Sequence, residues 1–331
     1  MPLIEEDAGQ VSDLGQLSFR NRLTTGRVVP IISDQTIFDL VMGGYAAFVN
    51  GYARYTKHPT VATGDLVGLI KAYKYRPRLK PLTDQALKFD YLNYVKNHLY
   101  RQAREAGADP DMLAAAAAEM DNLSASEFAN RLGYPAFAAG RDDPALILAN
   151  LPFKTVLTTS PFTFIEDALR RAGKQPRTEV CRWTKDLRDS VASTIDDTYR
   201  PSDREPLVYH LLGLDRYADS LVLTEDDFLE YLGNICQGQG NQATDFVPAL
   251  VRKTFSDDLI VLGFSLDSWA FRVLYAGLIK RSGKAEDRGV CTIQLPDSLD
   301  ARGFLEDYVQ REAKFQVFWG SFVEYAQREL R

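Results

Sequence analysis

The stretch DLIVLGFSLDSWAFRVLYAGLIKRSG, residues 258–283, decides the fold. A short run rich in β-branched residues reaches a glycine, turns through FSLD, and passes into a segment that puts Trp269, Val273 and Leu274 on one stripe. That segment meets Lys280 and Arg281 and closes at Gly283, as a helix C-terminus does. The run does not alternate apolar with polar residues, so it predicts a strand covered on both faces, as in a parallel sheet between helix layers. The same unit recurs. VVPII (28–32), KTVLT (154–158), PLVYHLL (206–212), SLVLT (220–224) and VCTIQL (290–295) all read as strands. Ser160 followed by Pro161 predicts a helix start after KTVLTT, and Thr224 with Asp227 forms a capping box before DDFLEYL. Repeated strand-then-helix units imply an α/β, Rossmann-like, doubly wound parallel sheet, which binds ligands at the carboxyl ends of its strands.

Between 32 and 154 the patterns are helical: GYAAFVNGYARY, TGDLVGLIKAYKY, TDQALKFDYLNYVKNHLYRQAREAG, an alanine helix opened by Asp109 and Pro110, and SASEFANRL. A helical module inserted after the first strand is expected there. From about 300 to 331 one long helical pattern carries Phe304, Tyr308, Phe315, Phe318, Trp319, Phe322 and Tyr325, either as core cover or as a docking face. There is no internal repeat.

The chain has 331 residues, 45% of them hydrophobic and 25% charged, which is the composition of a folded globular protein of one large or two modest units. No apolar run reaches the roughly 18 residues of a membrane span, and MPLIEEDAGQ lacks the basic start and apolar core of a signal peptide. An intracellular, cytoplasmic protein is expected. Three scattered cysteines suit a reducing compartment and give neither a disulfide framework nor a close-spaced zinc site, so no metal is expected. Net charge is −6; residues 1–165 balance 17 basic against 17 acidic groups, leaving the excess in the second half. Extensive non-specific attraction to nucleic acid is therefore not implied.

Three strand ends should converge on one crevice: TTSPF (158–162), YHLLG (209–213) and GFSLD (263–267). The helix after TTSPF would offer positive first-turn amides to a phosphate or carboxylate, with Ser160 as cap or anchor. His210, at a strand end before Gly213, stands where α/β enzymes keep general bases, although an isolated histidine is more often structural. His58 and His98 read as solvated surface residues. GQGNQA (238–243) matches a dinucleotide fingerprint in letters but follows a helix instead of a strand. GFSLD cannot be a hydrolase elbow, because no histidine follows 210. KAYKYRPRLK (71–80) and EDD (225–227) read as a solvated helix face and a capped first turn.

TVLTTSPFTFIEDAL, LVYHLLG, SLVLTEDDFLEYL and LIVLGFSLDSWAFRVLYAGL together resemble the sirtuin-like superfamily, in the bacterial branch found as anti-phage defence effectors. The resemblance is strong over about 155–280 and weak over 26–40. It implies a sirtuin-like NAD-binding domain over 1–40 and 150–298, a helical insertion over 41–149 and a C-terminal aromatic helix over 299–331. It implies NAD as substrate, cleaved to nicotinamide and ADP-ribose, with no metal. By motif, His210 matches the catalytic histidine and Thr158, Thr159 and Ser160 the motif beside the nicotinamide ribose, with Ser160 in place of an asparagine. Gly263, Phe264 and Ser265 match the clamp on the adenosine side. Ser33 and Asp34 fall near the end of the pyrophosphate loop, whose glycines VPIISD lacks. The resemblance further implies activity held down until a partner, a second defence protein acting as sensor, or homo- or hetero-oligomeric assembly releases it. That partner is expected to dock on the C-terminal helix or on the helical insertion, and deleting 300–331 is expected to abolish the complex. The rival readings are a non-catalytic nucleotide-binding or scaffold subunit and a protein deacylase, the latter without its usual zinc-binding cysteines.

Overall fold

The computed structural model describes residues 19–58, 65–75, 80–137, 143–237, 245–281, 291–296 and 302–331. MPLIEEDAGQ, GQGNQA, residues 76–79 of the basic stretch, Gly283, Val290 and the proposed boundary at 298–299 lie outside the described residues. In chain order the elements are β1 (Val28–Ile32), α1 (Asp34–Val41), α2 (Tyr45–Tyr55), α3 (Leu66–Lys74), α4 (Asp84–Glu105), α5 (Pro110–Glu119), α6 (Ala125–Arg131), α7 (Pro144–Ala149), β2 (Thr155–Thr158), α8 (Phe164–Arg171), β3 (Arg177–Val180), α9 (Lys185–Ser190) and β4 (Leu207–His210). They continue with α10 (Glu225–Gln237), α11 (Ala249–Thr254), β5 (Asp258–Leu262), α12 (Trp269–Leu274), which runs into a π-helical turn at Tyr275–Ile279, β6 (Cys291–Leu295), α13 (Arg302–Ala313), β7 (Phe315–Trp319) and α14 (Phe322–Glu329).

The seven strands form one sheet in the order β3-β4-β2-β1-β5-β6-β7, and every pairing is parallel. From β1 the chain passes to β2, then out to the edge strand β3 and back to β4 between them, all on one side of β1, and it adds β5, β6 and β7 in turn on the other. Strand order therefore reverses between β1 and β5, which places the crevice of a doubly wound sheet at their carboxyl ends. The buried strands send alternate residues to two cores. Val28, Ile32, Val156, Val208, Ile260 and Leu262 join the layer made by the helices between β1 and β2, together with α14. Val29, Ile31, Leu157, Tyr209, Leu259 and Val261 join the opposite layer, where α10, α11 and α12 pack. The helices that follow β1 thus form the cover of one sheet face and share its core.

Three expectations are corrected here. SLVLT is not a strand: Ala218–Ser220 is a 3-10 turn, the Val222 amide bonds Leu212 O at 3.1 Å, and the Leu223 and Thr224 amides donate to the capping carboxylate of Asp227. Its backbone is spent on capping, leaving no ladder to join. The C-terminal stretch is helix, strand and helix, with β7 as the seventh strand. Phe315, Phe322 and Tyr325 are buried core, Phe318 packs edge-on against Tyr325, and the guanidinium of Arg302 lies over Trp319. Deleting 300–331 would remove a sheet edge, so that deletion does not test docking. His98 is buried, with Nε2 at 2.9 Å from Met42 O and Nδ1 facing Arg101; His58 is half-buried. By contrast Lys71 pairs with Glu225 and Asp226, and Lys74 with Asp84, as a solvated face does.

Candidate active site

β1 ends directly in a helix. Ser33 caps α1 by accepting the Thr36 amide at 3.2 Å, and its hydroxyl donates to the carbonyl of Gly263 at the end of β5. The two central strands are tied together there. Gly263 has φ +73°, and a Cβ on it would lie 1.8 Å from Thr36 Oγ1, so this position requires glycine for both conformation and space. The Gly263 amide donates at 2.7 Å to Oε1 of Gln294, a buried β6 side chain whose Nε2 donates to Gly320 O beyond β7. No sequence signal singled out Gln294, because its role depends on β6 and β7 lying next to β5.

Against this floor opens a cleft of about 600 Å3 lined by Ser33, Asp34, Tyr45, Asp65, Phe228, Gly263, Phe264, Ser265, Asp267, Trp269 and Arg272. Phe228 and Trp269 stack with ring centroids 6.0 Å apart and planes inclined at 25°. Inward the cleft narrows to a recess of about 50 Å3 lined by Asp34, Phe38, Ile70, Tyr91, Thr159, Leu212 and Phe228. Asp34 belongs to both. Its amide donates to Thr159 Oγ1 at 3.0 Å, and that hydroxyl faces its Oδ1 at 3.4 Å. Loss of water by burial, partly offset by hydrogen bonds to the carboxyl from the backbone amides of Gln35 and Asp34 and from the Thr159 hydroxyl, pushes it up to about 6.

Six of the expected site residues are brought together: Ser33, Asp34, Thr159, Gly263, Phe264 and Ser265. Three are not. Thr158 is wholly buried, its hydroxyl donating to Ile32 O and accepting the Ser160 amide. Ser160 is also wholly buried and is not a helix cap; its hydroxyl accepts the Phe162 amide, and α8 begins only at Phe164. His210 lines neither the cleft nor the recess. It is fully buried, with Nδ1 at 2.7 Å from Ser160 O and Nε2 at 2.8 Å from Glu166 Oε1, which also accepts the Thr178 hydroxyl at 2.8 Å. Burial depresses the imidazole pKa, but the Glu166 charge and hydrogen bond with the Ser160 carbonyl outweigh it, and the net shift is upward. Both ring nitrogens are engaged, one with the Ser160 carbonyl and one with the Glu166 carboxylate, so neither is free to meet a substrate. The strand-end side chain that reaches the recess is Leu212, where apolar carbon replaces the expected base.

The residues fit one end of a dinucleotide to the cleft: the Phe228–Trp269 pair offers a flat apolar face, Arg272 a cation, and Ser265 a hydroxyl. They do not reproduce a glycine-rich phosphate loop, since α1 starts with Asp34. Among the described residues no three His, Cys, Asp or Glu side chains converge as a metal site requires, and no helix is long and apolar enough to cross a membrane.

Comparison with known families agrees with this topology. The family model for the SIR2-like domain matches residues 154–311, from the start of β2 into α13. No curated protein matches the chain. A SIR2-like domain implies the binding or use of NAD, and with its parallel sheet, switch-point cleft and matching sequence this chain carries a sirtuin-like domain across residues 154–311.

Proposed function

We propose that the protein is an NAD glycohydrolase of bacterial anti-phage defence, which cleaves NAD to nicotinamide and ADP-ribose when a partner protein or self-assembly activates it. The observation that carries the NAD part is the cleft between the carboxyl ends of β1 and β5, where the Phe228–Trp269 pair, Arg272, Ser265 and Asp34 surround a space of about 600 Å3. The defence part rests on the resemblance of the motifs in 155–280. In this reading the aromatic pair holds a base, Arg272 and Ser265 hold the phosphate and ribose side, and Asp34 stands at the throat of the apolar recess.

One observation favours a second reading, a non-catalytic NAD-binding subunit: Leu212 occupies the recess, and His210 is locked onto Ser160 and Glu166. One experiment separates the two. The purified chain, alone and with the product of its genomic neighbour, is incubated with NAD while nicotinamide release is followed by chromatography and NAD binding by calorimetry. Release supports hydrolysis, binding without release under either condition supports the second reading, and absence of binding overturns both.

A further inference from the structure

We propose that Asp34 carries the charge chemistry of this cleft: its carboxylate faces the positively charged nicotinamide riboside end of NAD, and in hydrolysis it takes the proton of the attacking water, with Thr159 as its positioning residue. This rests on the NAD reading above and names the residue that His210 leaves wanting.

The argument begins with what the other ionisable groups are doing. Asp65 is an N-cap, its Oδ1 accepting the Gly68 amide at 3.0 Å at the start of α3. Asp267 accepts the Ser265 hydroxyl at the cleft mouth. Arg272 is a cation and cannot act as a base. Among the described residues Asp34 is the carboxylate that lines both cleft and recess; the Thr159 hydroxyl at 3.4 Å and the backbone amides of Gln35 and Asp34 hold it in place at the border of the cavity. Its main chain cannot drift, because Ser33 ties the start of α1 to β5 while Thr159 holds the Asp34 amide from the β2 side.

The apolar walls supply the remaining condition. Phe38, Ile70, Leu212 and Phe228 exclude water on the recess side, where a fixed negative charge is worth most to a cation. The C1′–N1 bond breaks with its electron pair moving to the ring nitrogen, so the pyridinium leaves as neutral nicotinamide and the positive charge passes to the ribose. The oxygen of a water bonds to C1′, one of its protons moves to the Asp34 carboxylate and then to solvent, and ADP-ribose results. Atoms and charge balance with water as the sole co-reactant. A carboxyl held near 6 is a working base at neutral pH. The titratable and charged groups that border the same space are Tyr45 on α2, Tyr91 on α4, Asp65 before α3, and Asp267 and Arg272 on the β5–α12 side.

The test compares the full-length wild-type chain with Asp34→Asn and Thr159→Val, using NAD and NADH as calorimetric probes and nicotinamide release in the presence of the neighbouring gene product. The ring of NAD is cationic and that of NADH neutral, so wild type should favour NAD by about tenfold and Asp34→Asn should lose that preference. Nicotinamide release should fall about 10²–10⁴-fold in Asp34→Asn, and wild-type kcat should decline below pH about 6. Thr159→Val should keep the NAD preference while lowering kcat by a smaller factor. NAD binding with no preference over NADH, or a preference unchanged by Asp34→Asn, overturns this assignment and leaves NAD binding standing. Loss of all NAD binding in the wild type removes the functional reading itself.

Discussion

Replacing His210 with alanine distinguishes a structural histidine from a catalytic one. The His210 and Glu166 side chains are both fully buried and 2.8 Å apart. Without the imidazole, Glu166 keeps only the Thr178 hydroxyl on Oε1, and its Oε2, already without a partner, stays buried. Removing one member of such a pair costs about 3–5 kcal/mol, because the other charge remains out of water. At about 1.5–2 °C per kcal/mol for a chain of this length, the melting temperature should fall by roughly 5–10 °C. The pH dependence has a defined sign. The folded pKa of His210 is raised, so its contribution is fully present below the unfolded value of 6.5 and is lost as pH rises through the higher folded value. The gap between wild type and His210→Ala should therefore be largest at mildly acidic pH and shrink toward alkaline pH. Glu166→Gln keeps an acceptor for the ring and should cost less. Differential scanning calorimetry across pH, alongside NAD turnover per folded molecule, checks this. A His210→Ala protein that melts with the wild type yet loses turnover a hundredfold would refute the structural assignment and restore His210 to the chemistry.

Asp34→Asn should raise the melting temperature at neutral pH, because the folded state bears the cost of ionising a desolvated carboxyl; the wild type should gain on the mutant as pH falls toward and below 6, seen in the same calorimetric series. Gly263→Ala forces a left-handed residue, costing about 1–2 kcal/mol before Thr36 is displaced, and NAD titration should show weaker binding along with the lower melting point. Trp269→Ala removes the partner of Phe228 and should weaken NAD binding by about 1–3 kcal/mol, the scale of a base stacking on an aromatic side chain. Gln294→Leu strands the Gly263 amide and the Gly320 carbonyl, each costing about 1–3 kcal/mol where buried, and should loosen the β5–β7 edge in hydrogen exchange.

The sequence by itself determined the architecture, because that depends on local signals: non-alternating runs rich in β-branched residues for strands covered on both faces, Ser, Thr and Asp caps, and helical periodicity between β1 and β2. The missed strands lie at the two edges of the sheet, Arg177–Val180 and Phe315–Trp319. An edge strand has less surface to bury, and its mixed polar pattern is indistinguishable from a helix or loop until a neighbour pairs with it.

Six residues chosen from motif position line the cleft or the recess because parallel strands deliver their carboxyl ends to one rim. Which side chains turn into the cleft was a tertiary matter. His210 sits at a strand end as expected, but Glu166 on α8 and the Ser160 carbonyl draw it into the core, and these partners are 44 and 50 residues away in sequence. Leu212, two residues on, takes the place beside the recess. Asp34, expected from its motif position only beside the pyrophosphate, became a candidate for charge chemistry only once Thr159 and the walls of α1, α3 and α10 closed around it. Backbone pattern is written in nearest neighbours, whereas desolvation and hydrogen-bond capture are set by groups that only the folded chain assembles.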